Sequence, residues 1–96
     1  MQHPAWCDRA ECTASEGTGY HWSRRVALDP ELGTDVSATL QICQGARSAA
    51  VLVDLTAHLP GLDPADDGEE CTLLMGGERA VALGRMLLAV GHAATG

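Results

Sequence analysis

The clearest alternation in the chain lies at 36–43, V-S-A-T-L-Q-I-C. Val36, Ala38, Leu40 and Ile42 fall on one side; Ser37, Thr39, Gln41 and Cys43 fall on the other. A period of two with one apolar side predicts a strand whose inner face meets a core and whose outer face is wet. Residues 50–57 alternate as well, with Val51, Val53, Leu55 and Ala57 against Leu52, Asp54, Thr56 and then His58. Leu52 on the second face predicts a central position for this strand. The turn-rich Q-G-A-R-S between the two runs predicts a hairpin. A weaker alternation at 22–28 sets Trp22, Arg24, Val26 and Leu28 against Ser23, Arg25 and Ala27. It predicts a first strand ending at the turn D-P-E-L-G over 29–33. C-T-L-L-M at 71–75 predicts a fourth strand. After Gly76 and Gly77 the period changes: Leu83, Leu87, Val90 and Ala94, with Ala80, Gly84, Leu88 and Gly91 beside them, predict a helix over 78–93. Glu78 and His92 suit the two ends of its dipole. Ala80 and Gly84 on one stripe predict a close approach to the sheet.

Composition adds a constraint. Hydrophobic residues make up 46% of the 96, yet aromatics make up 3% and Phe is absent. The core must be built from Val, Leu, Ile, Ala and Met, which bury less area each than aromatic rings. A chain this short then calls for a staple such as a metal, a disulfide or a partner chain. The net charge is −7 and every basic residue is Arg. Such a balance opposes phosphate binding, so nucleic acid is an unlikely partner, although Arg9, Arg24 and Arg25 form a local basic group. The opening M-Q-H-P-A-W-C has neither a basic nor an apolar leader region, and the apolar run 80–90 is short and interrupted by Arg85. A cytoplasmic location with no membrane contact is expected. In that compartment thiols stay reduced, and clustered Cys and His are more often metal ligands than disulfides.

Such a cluster stands at the N-terminus. His3, Cys7, Cys12 and His21 follow the spacing His-x3-Cys-x4-Cys-x8-His, and Trp6, Tyr20 and Trp22 flank them. Gaps of three and four residues let turns fold side chains onto one ion, and a gap of eight lets a loop return the last ligand. Zn2+ is expected, since two Cys and two His are a common tetrahedral set. The aromatic neighbours would dock the site on the sheet. Three alternatives compete with this reading: inert residues that do not meet, a disulfide-closed arm, and a rival set of Cys7, Cys12, Cys43 and Cys71. Cys43 and Cys71 otherwise read as half-buried thiols.

The opening resembles a small actinobacterial (or actinophage) domain-of-unknown-function family. Its members begin Cys-Pro-x-Trp-Cys, carry a His after four further residues and another His later, and end in an Ala/Leu-rich helix. His3-Pro4-Ala5-Trp6-Cys7 matches with His in place of the first Cys; Cys12 stands where His is usual; His21 matches the later His. The two exchanges leave a Cys2His2 set. Cys71-Thr72-Leu73-Leu74-Met75 and the following helix resemble the family's end. The resemblance implies this architecture and no activity.

Other chemistry is not legible. No HExxH, deaminase-like or Ser-His-Asp arrangement is present, so no catalytic residue is assigned and a non-enzymatic protein is expected. The acidic run 63–70 fails the EF-hand pattern, because Ala65 and Leu74 stand where ligands belong. His58 and His92 read as solvent-facing. The expectation is an α+β fold in one domain over 1–96: a zinc knuckle at 3–22, an about four-stranded, mainly antiparallel sheet at 22–75, and one C-terminal helix at 77–94 packed on it. The expected function is a binding or regulatory module for a protein partner or a homodimer. A nucleic-acid-associated regulator comes next, and a zinc hydrolase or thiol redox protein last.

Overall fold

The computed structural model describes residues 2–28, 37–59, 65 and 68–96. The turn expected at 29–33, Val36 and most of the acidic run lie outside the described residues. The fold is α+β, with an N-terminal His/Cys knuckle, an antiparallel sheet and one C-terminal helix. In chain order the elements are β1 (Tyr20–Trp22), β2 (Val26–Ala27), β3 (Ser37–Gly45), β4 (Leu52–Leu59), β5 (Glu69–Gly76) and α1 (Gly77–Thr95). The sheet runs β1-β3-β4-β5, and β2 joins β3 on the same edge as β1. β4 is interior, as Leu52 on its second face predicts.

The alternation read from the sequence sets the register. Val26, Leu40, Leu55 and Leu73 form one cross-strand row, and Ile42, Val53 and Met75 form the next row on that apolar face. The opposite face carries Thr39, Thr56 and Thr72, then Gln41 and Asp54. Thr56 donates to Asp54 Oδ1 at 2.7 Å and meets the Thr72 hydroxyl at 3.1 Å.

The first strand departs from expectation. It is two short strands rather than one, which gives five strands instead of about four. Trp22 pairs with Cys43, but Val26 pairs with Leu40. Four steps on one strand therefore match three on the other, which is a β-bulge. The extra residue reverses the alternation, because Leu40 and Cys43 lie on opposite faces. Val26 joins the apolar face while Trp22 shares the face of Cys43, so the two do not line one side. Ser23 fills the gap: its N–H donates to Ile42 O at 2.9 Å, and its Oγ accepts from Ile42 N–H at 2.7 Å.

The helix forms where the period predicts it, with Glu78 in its first turn and His92 in its last. It starts immediately after β5, with extended Gly76 as N-cap and no side chain capping it. Ala80, Leu83, Gly84 and Leu87 face Leu40, Val53, Leu55 and Met75 across an apolar cavity of about 160 Å³. The close approach expected at Gly84 does not occur, since a Cβ there would meet nothing within 4 Å. No residue of α1 is buried. No helix of the described residues is long and apolar enough to cross a membrane.

Candidate metal centre

The four ligand candidates converge because three local devices return the chain to one point. First, Cys7 N–H donates to Pro4 O at 3.0 Å, closing a turn that brings His3 toward Cys7. Second, Asp8 organises the next turn: its Oδ1 accepts from Ala10 N–H at 2.9 Å, and its carbonyl accepts from Glu11 and Cys12 at 3.0 and 2.9 Å. An Asp side chain that bonds its own backbone two residues on is a common turn former. Third, residues 13–20 form a miniature hairpin. Ser15 and Thr18 exchange both backbone bonds, at 3.0 and 2.9 Å. Between them Glu16 (φ 44) and Gly17 (φ 88) both lie in the left-handed region, which is the two-residue I′ geometry that matches strand twist. The hairpin places His21 on β1 opposite Gln44.

The ligand atoms of His3, Cys7, Cys12 and His21 all lie within 4.8 Å of one another. His3 Nδ1 stands 3.4 Å from Cys7 Sγ and 3.6 Å from Cys12 Sγ. His21 Nδ1 stands 3.7 Å from each sulfur. Zinc bonds of about 2.3 Å to sulfur and 2.0–2.1 Å to nitrogen, at tetrahedral angles, require S···N separations of about 3.6 Å. All four separations fall around that value. Both imidazoles use Nδ1, so their Nε2 atoms carry the proton when a metal is bound. The rings meet edge to face, with centroids 5.0 Å apart and planes at 87°. Cys7 and Cys12 are free thiols rather than a disulfide.

The group is anchored to the sheet. Asp8 N–H donates to Trp22 O at 2.9 Å, and Cys7 bridges to Ser23. Gln41 Nε2 donates to Ser23 O at 3.0 Å. Among the described residues His21, Ser23 and Cys43 are the buried ones, at 6%, 8% and 3% exposure. The tightest packing of the described residues is thus at the junction of knuckle and β3, and not beneath the helix. Ser23, Asp8 and Thr13 escape a reading based on ligand spacing. An alternating strand makes Ser23 look like any outward serine, while the sequence does offer a turn at Asp8–Glu11, which the structure forms.

Other expected contributors are placed differently. Tyr20 and Trp22 touch, with ring centroids 6.0 Å apart, but Tyr20 is 53% exposed. The rival set does not form: Cys71 pairs with Ala57 and Cys43 with Leu52. Five residues along β4 separate those pairs by about 17 Å, on opposite faces. Cys43 is buried and Cys71 exposed, so neither is the half-buried thiol expected. His58 is half-buried on β4, in register with Ser37 and Glu70, and His92 is exposed. Arg9, Arg24 and Arg25 are exposed. Arg25 faces Glu11 at 3.9 Å, a surface pair of little energetic weight.

The surroundings tune two ligands in opposite directions. Desolvation, then the charges of Arg9 and His21, hold the His3 imidazole below its ordinary range, which favours the neutral form a metal requires. Desolvation and the neighbouring Cys12 push the Cys7 thiol up, so it keeps its proton at neutral pH until a metal displaces it. The sign of the pH dependence follows. Metal affinity rises with pH toward the raised Cys7 value, because the competing proton becomes easier to remove. It falls on acidification, and His3 protonates only below its ordinary range. A competition titration at several pH values should show affinity climbing from mildly acidic to mildly alkaline buffer, with proton release on binding; a flat profile would rule out thiolate ligation by Cys7.

No family model, no curated protein and no solved structure matches this chain. The functional reading therefore rests on the site and the surface.

Proposed function

We propose that the chain is a small zinc-stabilised, non-enzymatic binding module whose partner is a protein. The observation that carries this reading is the arrangement of His3, Cys7, Cys12 and His21, two nitrogens and two sulfurs spaced as a tetrahedral ion needs. Four protein ligands leave no position for water or substrate, which is the mark of a structural rather than a catalytic zinc. The ion would hold a stretch that is otherwise kept by turns and a short hairpin. It would thereby present the edge β1-β2 and the apolar face of the sheet. A nucleic-acid role has less support: Arg25 already faces Glu11, and the charge of −7 opposes phosphate.

X-ray absorption on the zinc-loaded protein tests the closed site. Two sulfur and two nitrogen neighbours, with no oxygen, are expected. An oxygen ligand exchanging with solvent would overturn the non-enzymatic reading and restore a hydrolase.

A further inference from the structure

A helix that is apolar nearly all round belongs in an interior. From residue 80 to residue 94, Arg85 and His92 are the only charged or titratable side chains of α1, and a helical repeat places them within about 20° of each other. Yet Val81, Met86, Leu88 and Val90 are exposed by 56–68%. The sheet has the matching deficit. Beside the cavity under α1 lies a second apolar groove of about 290 Å³, lined by Trp6, Val26, Leu40, Ile42 and Val53 together with Ser23, Arg24 and Gln41. Leu40 and Val53 line both, so one continuous apolar surface runs from Trp6 across the sheet to the helix.

The size of the deficit points to what covers it. The solvent-accessible surface is 7440 Å² for a mass of 10.0 kDa, whereas a folded monomer of that mass exposes about 5,200 Å². Two chains with an excess of about 2,200 Å² each fall within the 2,000–5,000 Å² that the two partners of an obligate homodimer together bury. The radius of gyration, 15.9 Å, likewise exceeds the about 12.5 Å of a compact chain of this length. Charge agrees. A chain at −7 repels its copy, but α1 carries no carboxylate beyond Glu78, and the groove has none. Each copy holds both an apolar ridge and an apolar groove, so a two-fold pairing satisfies both at once.

We infer that the chain is an obligate homodimer in which the exposed ridge of α1, Met86 and Val90, lies in the Trp6–Val26–Ile42 groove of a second copy. This specifies the protein partner proposed above, and it stands independently of the identity of the metal.

Analytical ultracentrifugation of the zinc-loaded chain should give twice 10.0 kDa. Val90→Glu should weaken self-association by at least about 30-fold, as loss of a central anchor does. Arg85→Glu, on the polar stripe, should leave it unchanged. Should Val90→Glu fail to fold, a dimer mixed from methyl-labelled and unlabelled wild-type chains keeps the test open. Inter-chain contacts between the Met86 or Val90 methyls and Trp6, Val26 or Ile42 are expected. A folded wild-type monomer overturns the inference, and so does a dimer joined through the β5 edge without those contacts. Metal content measured on the same samples separates the two claims: a zinc-loaded monomer refutes the dimer alone, and a metal-free dimer refutes the zinc module alone.

Discussion

His21→Ala should cost the chain its cooperative fold. His21 is at once a candidate ligand and one of the three buried residues among those described, and it ties the knuckle to β3 through its pairing with Gln44. Structural zinc contributes roughly 10–16 kcal/mol in small folding units, while whole domains are stable by only about 5–15 kcal/mol. Few other described side chains are buried, so little remains to hold the N-terminal stretch once the ion is lost. Metal affinity should fall by more than about 100-fold, beyond what loss of an outer hydrogen-bond partner costs. Treating the wild type with a strong chelator should produce the same state. Circular dichroism melts and hydrogen exchange read the outcome: protection of the amides at Asp8, Cys12, Thr13 and Ser23 should disappear. A cooperative melt equal to that of the zinc-loaded wild type would show that the ion is dispensable.

Gly19→Ala should be the most damaging change that touches no ligand. Gly19 sits at φ 74, and a Cβ there would collide with the carbonyl oxygen of Thr13. That carbonyl cannot move aside cheaply. Thr13 N–H donates to Tyr20 O at 2.9 Å, Tyr20 N–H donates to Thr13 Oγ1 at 3.1 Å, and Thr13 Oγ1 donates back to Tyr20 O at 3.2 Å. A left-handed backbone alone costs a side chain about 1–2 kcal/mol, and the collision raises the total to about 2–4 kcal/mol. Thr13 follows Cys12 and Tyr20 precedes His21, so relief of the collision displaces two ligands together. Gly17→Ala provides the contrast. At φ 88 it pays the same backbone cost, but its Cβ meets only the Arg47 guanidinium, the far end of a side chain that can swing away. Denaturant melts of the zinc-loaded variants should therefore rank Gly19→Ala well below Gly17→Ala, with a parallel loss of zinc affinity in the former alone. Equal losses would mean that backbone conformation, and not the packing at Thr13, sets the knuckle.

How much of this was legible varies from element to element. The alternation of 36–43 and 50–57 gives β3 and β4 with their faces, because a half-buried antiparallel strand leaves a period of two in the sequence. Spacing also brings out the four candidate ligands, since only a few turns separate them. The bulge between Trp22 and Val26 leaves no such trace. Both are even-numbered and apolar, so one inserted residue reverses their sides without disturbing the pattern. The segment T-A-S-E-G-T-G reads as a loop tip, although Glu-Gly at the centre of a two-residue turn is chemically close to the Asp-Gly of I′ hairpins. Ser23 is buried by its hydrogen bonds to Ile42 rather than by hydropathy, and no local signal marks it. The helix period is correct, but it cannot say whether the surface facing that helix belongs to the same chain. On α1 the described residues leave Val81, Met86, Leu88 and Val90 exposed.

Metal content is the measurement that bears most directly on the central claim. Untagged protein purified under reducing conditions and weighed by native mass spectrometry should carry one zinc per chain. That zinc should be absent from Cys7→Ser and His21→Ala and retained in Cys71→Ser. A metal-free chain whose knuckle amides are still protected would contradict the account, and residues 3–22 would then be held by their turns and hairpin alone.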